Sequence, residues 1–160
     1  MGCLTVLVAS GDAALRRTIG AELANAGYRL IECRDGDAAL ARLFVDGPDL
    51  LLVDLRLPPH GGLRLLQRVR LHSNVPFMLL GPGHDGALIQ ALDCGADDYV
   101  PLPCRPAALV SRVRAVLRRL RPIEEERRQV VMIGEVTVDL DQRRLFVRDR
   151  EVILSPTEWQ

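Results

Sequence analysis

The sequence predicts an α/β protein, with a doubly wound, five-stranded parallel sheet over residues 1–120 followed by a small antiparallel β-sheet. Three observations carry the prediction. Across the first 120 of 160 residues, short apolar runs alternate five times with stretches whose apolar residues recur at helical spacing, the pattern of βα units. One of those runs, residues 50–53, is apolar throughout, as a central strand covered on both faces is. After Leu120 the texture changes to short strand-like segments separated by polar turns.

The elements follow in order. Thr5–Ala9 is a strand, and Asp12 offers an N-cap to a helix carrying Leu15, Ile19 and Leu23 on one side, with Gly27 as its stop. Arg29–Cys33 is the second strand. Asp35-Gly36-Asp37 turns into a helix through Leu40, Leu43 and Phe44, closed near Gly47-Pro48. The third strand, 50–53, runs into Asp54. A loop rich in Pro and Gly, residues 57–62, leads to a helix with Leu63, Leu66 and Val69 inward. Residues 76–80 form the fourth strand and 81–86 a loop, and Leu88, Ile89 and Leu92 mark the fourth helix. Residues 98–100 begin a fifth strand that Pro101-Leu102-Pro103 breaks, and Pro106 opens a last helix with Leu109, Val110, Val113, Val116 and Leu117 on one side. Five βα units in about 120 residues fit a flavodoxin-like sheet, whose sites lie at the carboxyl ends of the strands.

Residues 1–120 are therefore expected as one domain and 121–129 as a charged linker. Residues 130–160 follow as a meander of strands at 130–133, 136–140, 145–148 and 151–154. The chain closes on Ser155-Pro156-Thr157-Glu158-Trp159-Gln160, whose Ser155 and Glu158 form a capping box that announces a helix.

Composition excludes several classes. With 48% hydrophobic and 26% charged residues the chain is expected to be globular, and without an apolar run long enough for a membrane it is expected in the cytoplasm. Cys3, Cys33, Cys94 and Cys104 form no Cys-x-x-Cys pair, so buried free thiols are expected rather than a zinc knuckle or a disulfide framework. All 21 basic residues are arginine, which excludes lysine chemistry. Fifteen arginines face twelve acids up to Arg121 and six face nine thereafter, so neither part has the basic excess of a surface that grips a phosphate backbone by itself.

Asp54 is the first candidate for chemistry, because a carboxylate ending a central parallel strand stands where α/β sheets place reactive groups. Its position alone fits a loop cap as well. The surrounding motifs say more. Val53-Asp54-Leu55-Arg56-Leu57-Pro58 with Gly62-Leu63, and Gly95-Ala96-Asp97-Asp98-Tyr99-Val100 with Pro103, resemble the phosphoacceptor and fifth-strand segments of a bacterial two-component response-regulator receiver, which has the CheY-like form of this fold. Residues 134–158 resemble the amino-terminal sheet of an OmpR/PhoB-type winged-helix DNA-binding domain.

The resemblance implies that Asp54 is the phosphoacceptor, taking a phosphoryl group from a histidine kinase with Mg²⁺ held by an acidic pair. Ser10 and Gly11 stand at the pair's positions, and Asp12, one residue on, is better explained as a helix cap. Gly81 stands where the family has a Ser or Thr, Leu102 where it has a Lys, and Gly61 where it commonly has an Asp. A carboxylate without its metal site, switch hydroxyl and lysine is a poor phosphoryl acceptor. The expectation is an atypical receiver with no metal and no cofactor, and the histidine kinase is put in question. Catalysis is not expected either, since Arg56 stands where aspartate-based phosphatases carry a second acid. A small ligand near Asp54, Gly81 and Leu102 stays open, an apolar pocket replacing the metal site.

The family's dimer face combines the fourth helix, fifth strand and fifth helix. Here Asp98 and Arg119 match one ion pair, Arg112 half of another, and Ile89, Leu92 and Val110 an apolar patch, while Leu88, Cys94 and Ala108 replace charged positions. Tyr99 matches the aromatic switch residue and equally fits a half-buried strand aromatic. The expected function is transcriptional control by a degenerate receiver acting through a homodimer. DNA binding is expected only if the winged-helix domain is completed beyond Gln160, since the recognition helix of that family lies further on. The alternatives are a truncated dimerising adaptor or decoy, and a conventional regulator controlled by phosphorylation of Asp54.

Overall fold

The structure, a computed structural model, describes residues 2–120 and, beyond them, the strand residues 130–133, 136–139, 144–147 and 150–152. The chain divides into two units, Met1–Leu120 and Arg121–Gln160. In the first, strands β1 (Thr5–Ala9), β2 (Arg29–Cys33), β3 (Leu50–Asp54), β4 (Phe77–Pro82) and β5 (Asp98–Leu102) alternate with helices α1 (Ala13–Asn25), α2 (Gly36–Asp46), α3 (Gly62–Arg70), α4 (Asp85–Asp93) and α5 (Pro106–Leu120). The strands pair in parallel in the order β2-β1-β3-β4-β5. Strand order reverses beside β1, and Asp54 at the end of central β3 lies at the crevice that such a reversal opens.

Side-chain alternation along the strands divides the core in two. Leu7, Leu51, Val53, Phe77 and Leu79 pack against α2, α3 and α4, while Val6, Val8, Leu50, Leu52, Met78 and Leu80 pack against α1 and α5. Every residue of β3 is buried, which is why its sequence shows no polar alternation. Fully burying each such Leu or Val stabilises the fold by roughly 1.5–3 kcal/mol, so β3 anchors the position of Asp54.

Several elements differ from the sequence reading. β4 runs through Gly81 and Pro82, and β5 continues to Leu102, because Gly81 pairs with Pro101 and Pro82 with Leu102 along the strand edges. On α2 the inward residues are Ala39 and Leu43, whereas Phe44 is 59% exposed, its ring edge-on to His72 at 6.1 Å. On α3 Leu65 joins Leu66 and Val69, with Leu63 only partly buried. On α4 the core side is Ala87 and Ala91, and Leu88, Ile89 and Leu92 face outward, as the exposed patch expected of Ile89 and Leu92 requires. Of the four thiols Cys33 is buried, Cys94 and Cys104 are half-buried and Cys3 is exposed.

The Gly95-Ala96-Asp97 segment gains its structural meaning from Arg70. That guanidinium donates to the carbonyls of Val75 (2.6 Å) and Gly95 (3.1 Å) and to the Asp97 carboxylate (3.1 Å), which also accepts the Phe77 N–H at 2.8 Å. One arginine thereby ties the end of α3 to the starts of β4 and β5.

In the second unit β6 (Val130–Ile133), β7 (Val136–Asp139), β8 (Arg144–Val147) and β9 (Arg150–Val152) form an antiparallel meander in sequence order. The expected linker 121–129 and the capping box at Ser155–Glu158 lie outside the described residues.

Candidate functional site

The crevice at the carboxyl end of the sheet is built by the turn after β3. Leu57 N–H donates to the Asp54 carbonyl, Gly61 N–H to Leu57 and Gly62 N–H to Leu55, which folds the loop back over the strand end. Gly61 has φ +88°, a conformation open to glycine, and a Cβ on Gly62 would lie 2.5 Å from the Asp54 carbonyl oxygen. The Gly61 that departs from the family pattern is thus required by the backbone of this loop.

Asp54 is 3% exposed. Its Oδ2 accepts the Ser10 hydroxyl at 2.8 Å and its Oδ1 accepts the Arg56 backbone N–H at 2.9 Å. Ser10, 1% exposed, accepts in turn the N–H of Asp12 at 3.1 Å. A buried carboxylate is costly unless hydrogen-bonded, and here both oxygens have partners from the protein itself.

Asp12 does not join this group. Its Oδ1 accepts the N–H groups of Ala14 and Leu15 at 2.9 and 3.2 Å, the N-cap expected of it. Position 11 is tight, since a Cβ on Gly11 would meet the Pro58 ring at 3.0 Å and require the ring to shift by a few tenths of an ångström.

Gly81 is explained by Tyr99. The phenol is buried and its hydroxyl donates to the Pro82 carbonyl at 2.7 Å, lying 2.5 Å from where a Gly81 Cβ would stand. Burial pushes the Tyr99 phenol above its ordinary value of 10.0, and the Asp54 charge adds to the rise. The hydroxyl at this corner of the crevice comes from position 99.

Leu102 belongs elsewhere. It is half-buried with the apolar layer of α1 and α5 and lines a cavity with Leu15, Ile19 and Leu109. The apolar pocket anticipated near Asp54, Gly81 and Leu102 therefore borders Leu102 alone of the three.

Two residues of the anticipated dimer face are corrected by burial. Tyr99, 2% exposed, and Val110, 8% exposed, point into the two core layers and offer no surface. Ile89, at 57%, and Leu92 are exposed, as is Arg119. Asp98 is held within the chain by Arg112, at 3.2 and 3.3 Å.

The residue that sequence reasoning missed is Arg16. It is buried, and its Nη1 donates to the Ser10 carbonyl at 2.5 Å, fixing the strand end that presents the Ser10 hydroxyl. The signal was its place three residues before Ile19 and seven before Leu23, on the buried side of α1.

Comparisons with known proteins agree with this geometry. The Response regulator receiver domain model matches residues 6–114. The phosphate regulon transcriptional regulatory protein PhoB of Klebsiella pneumoniae is 32% identical over 159 residues, covering 97% of this chain and 69% of its own. The DNA-binding response regulator MtrA of Mycolicibacterium smegmatis is 34% identical over 155 residues, covering 96% of this chain and 67% of its own. A crystal structure assigned as a response regulator of Chloroflexus aurantiacus superposes with a TM-score of 0.72 at 32% identity, over 74% of this chain and all of that one. The five-stranded architecture is the CheY-like one. The domain match, the fold and the relatives that share about a third of their residues with almost the whole chain point one way: this protein belongs to the response regulator receiver family, in the OmpR/PhoB branch.

Proposed function

We propose that this chain is a transcriptional regulator whose receiver works without Mg²⁺-dependent phosphoryl transfer to Asp54. The observation that carries the reading is that Asp54 is held by the Ser10 hydroxyl and the Arg56 N–H, with no second carboxylate beside it among the described residues. Mg²⁺ demands near-octahedral oxygen coordination and keeps carboxylates as its protein ligands. A hydroxyl at Ser10, no side chain at Gly11 and the single Asp54 carboxylate do not fit it. Among the described residues no three His, Cys, Asp or Glu side chains gather as ligands. Nor does the crevice hold a lysine to neutralise a transferring phosphoryl group, so a histidine kinase has no role in this reading, and neither has catalysis.

The output is a homodimer through α4, β5 and α5, with Leu88, Ile89 and Leu92 as the apolar patch and Asp98, Arg112 and Arg119 at its rim. Exposure of three large apolar residues on one short helix supports it. Apolar area contributes more to such a contact than surface ion pairs do. DNA recognition belongs to the winged-helix domain whose opening sheet is β6–β9, and relatives named as transcriptional and DNA-binding regulators support that reading. The test is incubation of the whole chain with acetyl phosphate and Mg²⁺, followed by intact-mass measurement. An unmodified chain is expected, and stoichiometric phosphorylation at Asp54 overturns the reading in favour of a conventional regulator. Light scattering at tens of micromolar checks the dimer, which a monomer throughout would refute.

A further inference from the structure

On the opposite side of β5 from α4, the receiver unit has a cavity of about 370 Å³ between α1 and the start of α5. Leu15 and Ile19 of α1, Leu102 of β5 and Leu109 of α5 form apolar walls, and Thr18 and Glu22 supply polar groups from α1. The volume lies in the range of small-molecule sites, roughly 300–1,000 Å³, which are characteristically apolar with a few polar groups that fix orientation. The Thr18 hydroxyl is committed to the Ala14 carbonyl at 2.9 Å. Glu22 is the one charged side chain in the lining, and among the described residues no arginine pairs with it.

We propose that this cavity binds a small apolar molecule bearing one amino group, its hydrocarbon body against Leu15, Ile19, Leu102 and Leu109 and its ammonium at Glu22. The sign of the charge decides the class of ligand. Among the described residues no arginine lines the cavity, so an anionic amphiphile finds no partner there and meets the Glu22 carboxylate. A neutral apolar molecule gains the walls alone, whereas an amine gains the walls and a charge-assisted hydrogen bond. Leu102 matters twice, since it adds an apolar wall here and brings no competing cation.

The test is a titration of the whole isotope-labelled chain with octylamine, octanol and octanoate, followed by amide resonances. Octylamine is expected to give saturable shifts confined to Leu15, Ile19, Leu102, Cys104 and Leu109, with octanoate binding at least tenfold more weakly. Glu22→Gln is expected to reduce octylamine to the affinity of octanol. Thr18→Phe, at an exposed position, fills the cavity and is expected to weaken octylamine and octanol at least tenfold. If that variant loses its spectrum, Leu15→Trp provides the same block. Absence of saturable shifts, binding undiminished by either blocking variant, or octanoate binding as well as octylamine overturns the proposal. Concentration-dependent shifts of the same amides without any ligand also overturn it, marking the face as a contact between copies. Asp54→Ala is expected to leave octylamine binding unchanged, which separates this site from the phosphoacceptor question.

Discussion

Gly81→Ala tests whether positions 81 and 99 form one packing unit. The new methyl would start 2.5 Å from the Tyr99 hydroxyl and 3.1 Å from the Leu55 Cβ, well inside ordinary contact. Neither neighbour has an easy retreat, because the Tyr99 ring is buried and its hydroxyl is bonded to the Pro82 carbonyl at 2.7 Å. Overpacking of this kind costs about 1–3 kcal/mol, against which the loss of glycine's unfolded-state freedom returns about 0.4–1 kcal/mol. A net loss of about 1–2 kcal/mol is expected. Tyr99→Phe alone removes the hydrogen bond to the Pro82 carbonyl, at a cost of about 0.5–1.5 kcal/mol. In the double variant the space vacated by the hydroxyl receives the methyl, so the two losses should not add. Urea unfolding of the four proteins, followed by far-ultraviolet circular dichroism, gives the coupling, expected at about 1 kcal/mol or more in the compensating direction. Additivity within about 0.3 kcal/mol refutes the reasoning.

Stability should also fall in alkali. Burial raises the thiols of Cys33 and Cys104 above 9.0 and the phenol of Tyr99 above 10.0, so each holds its proton more tightly folded than unfolded. Their contribution is intact below those ordinary values and is lost as pH rises through the folded ones. Urea midpoints measured from pH 7 to 11 should decline above about 9, less steeply in Cys33→Ala. Ser10→Asp places a second carboxylate against Asp54 and should destabilise the chain by about 1–3 kcal/mol in chelator. Millimolar Mg²⁺ should restore part of that loss while leaving the parent protein's melting temperature unchanged, and a parent that shifts with Mg²⁺ refutes the assignment. Leu52→Ala should cost about 2–5 kcal/mol by unfolding, because Leu52 is buried in the α1 and α5 layer. Asp98→Asn should cost less than about 1 kcal/mol, because the Arg112 pair is partly exposed, and a larger loss would mean the pair is structural.

Much of the receiver fold was legible because period and burial coincide in it. The run ending at Asp54 reads as a covered strand, and Asp12 as a cap, from local chemistry alone. The errors cluster where alternative partners satisfy the same residues. Pro101 and Pro103 suggested a break, yet β5 continues to Leu102 because it has a paired neighbour only in β4, which leaves other backbone groups free of ladder duties. On α2 the helical run through Leu40, Leu43 and Phe44 does not reveal that Ala39 and Leu43 are the inward pair while Phe44 is 59% exposed. Sequence spacing cannot see which face the neighbouring strands leave room for.

Ser10, Gly81 and Leu102, which depart from the pattern that the resemblance implies, each take part in a contact of their own. Asp54 is buried and in need of donors, and Ser10 supplies one while Arg16 pins the strand end that carries it. Removing a side chain at 81 leaves a void, and the Tyr99 hydroxyl occupies it with its own hydrogen bond to Pro82. Replacing a cationic position with Leu102 adds wall to the apolar layer rather than a charge to the crevice. Restoring a single family residue should therefore break an existing contact before it rebuilds any phosphoryl chemistry. Ser10→Asp removes the Asp54 donor, and Gly81→Ser collides with Tyr99. On this argument phosphorylation at Asp54 requires positions 10, 11, 81 and 102 to change together, and a single substitution that restores stoichiometric labelling by acetyl phosphate would show that the contacts are less interdependent than their geometry implies.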